Sequence, residues 1–308
     1  MKNNPSSTST RTSLPCWLSL LLTLGFPSVT DSLWAASTGS LRQSLTFHAS
    51  FDHGPDAGFG AGDRRLFHAP SLKQPRVGKP GLPPGGAVSV ARGEGKTGDA
   101  LRFHRKAPEV LFFQVEKNFA YAKSNWNGTV SFWLRLDPEA DLPPDYCDPL
   151  LITPREWNDA AIWVDFSKDE RPRHFRLGLF ADRSVWDPQR RNYDTFPPDE
   201  RPIVTVTPSP FSRDRWTHVA YTFSNFNTGK KDGVATLYLD GKPQGSVSAR
   251  EQTFSWEPAQ AIAMVGINYI GLFDELAFFN RALTAAEVSE LFALPDGLTA
   301  VRQERRLP

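Results

Sequence analysis

The chain is predicted to be all-β, a two-sheet antiparallel sandwich with one short C-terminal helix. Three observations predict it. Segment after segment alternates apolar residues with polar or small ones, the period of a strand with one buried face. The 308 residues carry 26 prolines and 22 glycines, a composition that suits many short strands joined by turns. Only one stretch, near residue 284, has helical period and a helix-start signal. The length suffices for one large β domain with a sizeable core.

The N-terminus reads as an export signal over residues 1–36. Lys2 and Arg11 are its positive part, residues 16–26 form an apolar run too short to cross a bilayer, and Ala35 and Ala36 offer cleavage points. The expected location is therefore secreted, periplasmic or at the cell envelope. Removing Lys2, Arg11 and Asp31 with the leader leaves basic and acidic residues in balance. That balance gives no pull toward nucleic acid. No later apolar stretch reaches the length of a transmembrane segment. Cys147 is the only cysteine beyond the leader, so no internal disulfide forms, and with no nearby histidine it reads as buried and inert.

The main domain is expected over residues 45–294. Residues 45–51 alternate as a half-buried strand. Residues 53–98 are rich in Gly and Pro and longer than an ordinary loop, an elaboration that is functional or packed on the sandwich. Strand patterns return at 100–104, 129–136, 160–166, 174–180, 203–207 and 216–224. Residues 234–239 meet Asp240-Gly241, a hairpin turn signal, with 244–249 as the return strand. Two more strands follow at 261–267 and 269–279. Thr284 and Glu287 have capping-box spacing, and Ala285, Val288, Leu291 and Phe292 share a stripe. Residues 295–308 read as a polar tail that frays.

The segments Gly98-Asp-Ala-Leu-Arg-Phe103, Thr129-Val-Ser-Phe-Trp-Leu134, Trp216-Thr-His-Val-Ala220 and Leu237-Tyr-Leu-Asp-Gly-Lys242 lead to a C-terminal block in which Phe273-Asp-Glu275 precedes Asn280-Arg-Ala-Leu-Thr284. In kind, order and separation they resemble the laminin-G-like jellyroll domains of the concanavalin A-like lectin/glucanase superfamily. The resemblance implies two curved sheets, binding of glycans or proteins, and frequently a calcium ion. In such a fold the first and last strands are often neighbours. Asp52 and Asp274 are then candidates to share a structural calcium with loop carbonyls, the all-oxygen set that ion takes; the alternative is that each caps a turn.

A hydrolase on this fold needs two carboxylates a few ångströms apart, which on a strand means acids at i and i+2 or i+4. No such run exists. Asp165 with Asp169, and Glu139 with Asp141, read as solvated loop charge, while the adjacent Asp274 and Glu275 are expected to point to opposite faces. No catalytic residue is therefore assigned. Flat aromatics with polar edges suit sugar faces, and Trp157, Trp163, Trp186 and Tyr193 sit in loops or at strand edges where they can form a ligand surface. The reading is an exported, non-catalytic carbohydrate-binding or adhesion module whose partner is a glycan or a cell-envelope protein. A structural envelope domain is the alternative, and a glycoside hydrolase with an unrecognised site the third.

Overall fold

A computed structural model describes Met1, residues 39–71 and residues 78–303. The expected leader, Met1 apart, lies outside the described residues. In chain order the strands are β1 (Leu45–Ala49), β2 (Phe59–Gly60), β3 (Phe67–Ala69), β4 (Lys79–Pro80), β5 (Val88–Ala91), β6 (Ala100–Phe103), β7 (Val110–Gln114), β8 (Trp126–Arg135), β9 (Cys147–Thr153), β10 (Ala161–Phe166), β11 (Phe175–Phe180), β12 (Ile203–Val206), β13 (Thr217–Phe226), β14 (Gly233–Leu239), β15 (Lys242–Arg250), β16 (Ile262–Ile267) and β17 (Gly271–Phe279).

They form two antiparallel sheets. The first runs β15-β14-β13-β8-β17-β1-β2, with β6 also on β17 and β5 on β6; the second runs β12-β11-β10-β9-β16-β7-β3-β4. The predicted sandwich is the observed one. Alternation does the sorting: on β10, Ile162, Val164 and Phe166 enter the central core while Trp163 and Asp165 face outward. The core between the sheets is rich in aromatics, with Trp126 edge-on to Phe223 and Trp256. The described parts of the Gly- and Pro-rich stretch, 53–71 and 78–98, are not a free loop. They supply β3, which extends the second sheet, and β5, which pairs with β6.

The outer face of the first sheet is covered. Ala220, Tyr238, Ala277 and Phe279 pack under Leu283, Val288 and Leu291, the last two on helix α1 (Ala285–Ala293). The capping box expected there forms: Thr284 Oγ1 accepts from Glu287 N at 3.2 Å, and Thr284 N donates back to Glu287 Oε2 at 2.9 Å. The Arg281 guanidinium grips the same carboxylate and, first among the causes, holds it down at about 2. The tail differs from expectation. Gly297–Gln303 is a second helix, α2, because Leu298 and Val301 have apolar partners on this face. By contrast, a cleft opens on the outer face of the second sheet.

Candidate functional site

The cleft has a volume of about 560 Å³. Its floor is made by outward residues of adjacent strands: Leu151 on β9, Trp163 and Asp165 on β10, Arg176 on β11 and Met264 on β16. Trp163 lies flat because its strand partner is Gly178. A methyl group at that glycine would sit 2.3 Å from the indole. The ring also stacks on Phe180, 5.6 Å between centroids, and its Nε1 donates to the Trp157 carbonyl at 2.9 Å. One wall comes from Arg155, Glu156 and Trp157 together with Tyr193 and Asp194 of the long 181–202 loop. Trp157 is 42% exposed and stands at 90° to Tyr193. The opposite wall holds Asp145, Tyr146 and Asn268.

Three of the four aromatics expected at a ligand surface therefore line this cleft. Trp186 does not. It packs behind, edge-on to Phe180 at 4.9 Å and 5.3 Å from Phe196, with its Nε1 bonded to the Asn158 carbonyl. It braces the wall that carries Tyr193.

The charged part of the floor was not expected. Asp165 is a buried strand residue, not solvated loop charge. Both its oxygens meet the Arg176 guanidinium, Nε to Oδ1 at 2.8 Å. That guanidinium lies over the Tyr146 ring at 5.2 Å and over the Trp163 ring at 5.6 Å. The register between β9 and β10 slips beside Asp165: Val164 pairs with Leu150 but Phe166 with Cys147. This bulge sets Asp148 and Pro149 together opposite Asp165. Asp148 thus joins Asp165 at the cleft. Burial and the neighbouring Asp165 push the Asp148 carboxyl well above the usual range, while Arg176 pulls it down. The other expected pair, Glu139 and Asp141, sits in a one-turn helix, each held by an arginine. Cys147 is buried, and burial pushes its thiol up to about 12. An inert thiol follows.

Asp52 and Asp274 converge on the glycine-rich 92–99 loop. Asp52 Oδ1 accepts from Asp99 N at 3.0 Å, and Asp274 Oδ2 from Lys96 N at 2.7 Å. A methyl group on Gly95 would lie 2.4 Å from the Asp99 carbonyl oxygen, 2.5 Å from that of Thr97 and 2.8 Å from Asp274 Oδ2. Burial, then Glu275 and Asp52, push the Asp274 carboxyl well up. Both carboxylates thus accept backbone N–H groups and hold the loop, the turn-capping role, and the oxygens gathered beside this negative charge are of the type calcium takes. Among the described residues no three His, Cys, Asp or Glu side chains cluster as metal ligands, so carbonyls would have to complete the shell.

Asp274 and Glu275 do not point to opposite faces. Glu275 adopts φ 54° at a break in the β17–β8 register. The break turns its side chain to the same loop, where Thr97 Oγ1 donates to Oε1 at 3.2 Å. His48 Nε2 lies 3.1 Å from Oε2, which also accepts from Leu298 N at the start of α2.

Residues 113–289 match the family described as the concanavalin A-like lectin/glucanases superfamily. The chain belongs to that superfamily. No curated protein matches it. Among solved structures, this superfamily member is similar to domain 4 of AbnA, a GH43 extracellular arabinanase from Geobacillus stearothermophilus, in complex with arabinotriose. The TM-score is 0.51 at 17% identity, covering 82% of this chain and 98% of that one. It is also similar to the receptor-binding domain of a botulinum neurotoxin C/D mosaic serotype, with a TM-score of 0.54 at 11% identity. That match covers 82% of this chain and 51% of the toxin domain, so the superfamily member spans about half of it. Both likenesses are of fold.

Proposed function

We propose that this superfamily member is an exported, non-catalytic carbohydrate-binding module that uses the cleft of the second sheet. One observation carries the reading: a half-exposed indole, Trp157, stands upright against Tyr193 at the rim of a cleft floored by the largely buried Trp163, with hydrogen-bonding groups at the far side. Apolar ring faces with polar groups at their edges are what a pyranose or furanose presents. The arabinotriose complex of the AbnA domain supports the choice of ligand class on this fold. Export rests on the leader pattern alone. It is checked by finding the mature N-terminus after Ala35 or Ala36 in protein recovered outside the cytoplasm.

In the same reading, Asp52, Asp274 and the carbonyls of Thr97 and Asp99 hold a structural calcium. The ion would neutralise crowded carboxylates and fasten the 92–99 loop to β17.

The test of binding is a glycan array followed by calorimetry on the best hit. Trp157→Ala is expected to weaken binding by about tenfold or more, the scale of an aromatic anchor. Undiminished binding in the quadruple variant of Trp157, Trp163, Trp186 and Tyr193 would remove the cleft as the sugar surface.

The Asp148–Asp165 pair favours a second reading, a glycoside hydrolase. Arg176 holds both oxygens of Asp165, which takes away the free carboxylate a nucleophile or base needs. Release of reducing ends from mixed polysaccharides would overturn the non-catalytic assignment.

A further inference from the structure

We propose that Asp148 makes the cleft selective for glycans carrying a free amine. This rests on the carbohydrate-binding reading and names the class of sugar. The argument is one of charge and commitment. Both arginines that line the cleft are already engaged. Arg176 is bound to Asp165. Arg155 donates to Asp159 at 3.0 Å, to Asp182 at 3.1 Å and to the Ser255 carbonyl at 2.6 Å. Asp145 is met by Lys106 at 3.3 Å and by Asn268.

Among the described residues Asp148 has no ion-pair partner, yet it sits beside the floor pair where Asp165, Asp145 and Arg176 act on it. Glu156 and Asp194 on the facing wall add negative charge. A uronic acid would meet repulsion here. An N-acetyl group would bring no charge to Asp148. An ammonium on a sugar ring meets a carboxylate without a counter-ion, close to the indole that seats the ring. Charge-assisted hydrogen bonds of this kind are the stronger ones.

Proton linkage gives a readout that packing alone would not move. Burial and Asp165 favour the protonated Asp148 carboxyl in the empty cleft, and an arriving ammonium favours its ionised form. Binding therefore releases a proton.

The experiment is calorimetry at about pH 6 in two buffers of different ionisation enthalpy, with three probes: a glucosamine oligomer, its N-acetylated counterpart and a uronic acid oligomer. The glucosamine oligomer is expected to bind at least about tenfold tighter than the N-acetylated one, with net proton release. Asp148→Asn, nearly isosteric, is expected to bring the two within about twofold and abolish the release. Equal affinities in the parent protein, tightest binding of the uronate, or an unchanged ratio in Asp148→Asn would overturn the amine proposal. If such a glycan still loses its affinity in Trp157→Ala, the carbohydrate reading survives that failure. If none of the probes and no glycan on the array binds, both fall together.

Discussion

The outer faces of the two sheets carry comparable aromatic and polar side chains but are finished in opposite ways. On the first sheet, Trp133 stacks on Phe292 of α1 at 5.7 Å, and His218 is fully buried beside it with Nε2 2.9 Å from Ser131 Oγ. On the second sheet, Trp163 is flat and Arg176 and Asp165 are paired, but the face opens into a cleft. The difference teaches that a polar group on an outer face is structural or functional according to what covers it. Burial under the helices, and then Lys96, drive His218 down to about 3, a value that fits a packed group. Asp148 is driven up and remains at a wall that a ligand can reach.

The largest test of this contrast is acid. His218 has an ordinary value of 6.5 and is held at about 3 in the fold. The unfolded chain therefore binds the extra proton between these values. Stability is expected to fall as pH drops below 6.5, by on the order of 4 kcal/mol by the time pH reaches about 3. Glu287 adds its loss only from 4.5 downward. Asp148 has the opposite sign, because its raised carboxyl binds the proton more tightly in the fold and gains stability in acid. Denaturant melts from pH 7 to 5 should show the parent losing stability relative to His218→Gln, because the raised carboxyls act equally in both. Parallel profiles for the two proteins would contradict the covered-face account.

Next in size, Leu291→Ala on the inner face of α1 is expected to cost roughly 2–5 kcal/mol, as for a buried leucine. Trp157→Ala at the open face should stay below about 1 kcal/mol while losing ligand. Urea midpoints for the two variants check the difference, and equal costs would erase the distinction between the faces. A smaller effect is expected from chelation. An ion bound only by the folded state stabilises it by about 2.7 kcal/mol at a hundred times its Kd, so removing calcium should lower the Tm by several degrees. No shift would remove Asp52 and Asp274 as ligands. The finest probe is Gly178→Ala. Its methyl group must displace the Trp163 ring, so glycan affinity should drop several-fold while the fold, read by circular dichroism, persists.

The sandwich was legible because strand alternation is written locally, residue by residue, and α1 because its capping box is. The aromatic side of the cleft was partly legible: Trp157 and Tyr193 stood out by type and loop position and Trp163 by alternation on its strand, whereas only tertiary packing turns Trp186 to the back. The acid side was not. Asp148 and Asp165 meet across two strands through a bulge, and a scan for acids spaced along one strand cannot see cross-strand register. Likewise, two adjacent acids alternate in an ideal strand, and nothing in the string of letters marks Glu275 as left-handed. The helix α2 was hidden because Leu298 and Val301 are too few to make a stripe by themselves. Their partners lie far away in the chain.

The two flanks of the domain are joined on the helical side. Ser40 Oγ bonds Glu287 at 3.1 Å, and Arg42 Nε reaches the Val301 carbonyl at 2.6 Å. Leu41 shares an apolar cluster with Leu298 and Val301. Anything tethered through either flank would leave from the back of the sandwich, so the mouth of the cleft would face away from the anchor, toward whatever the module has to reach.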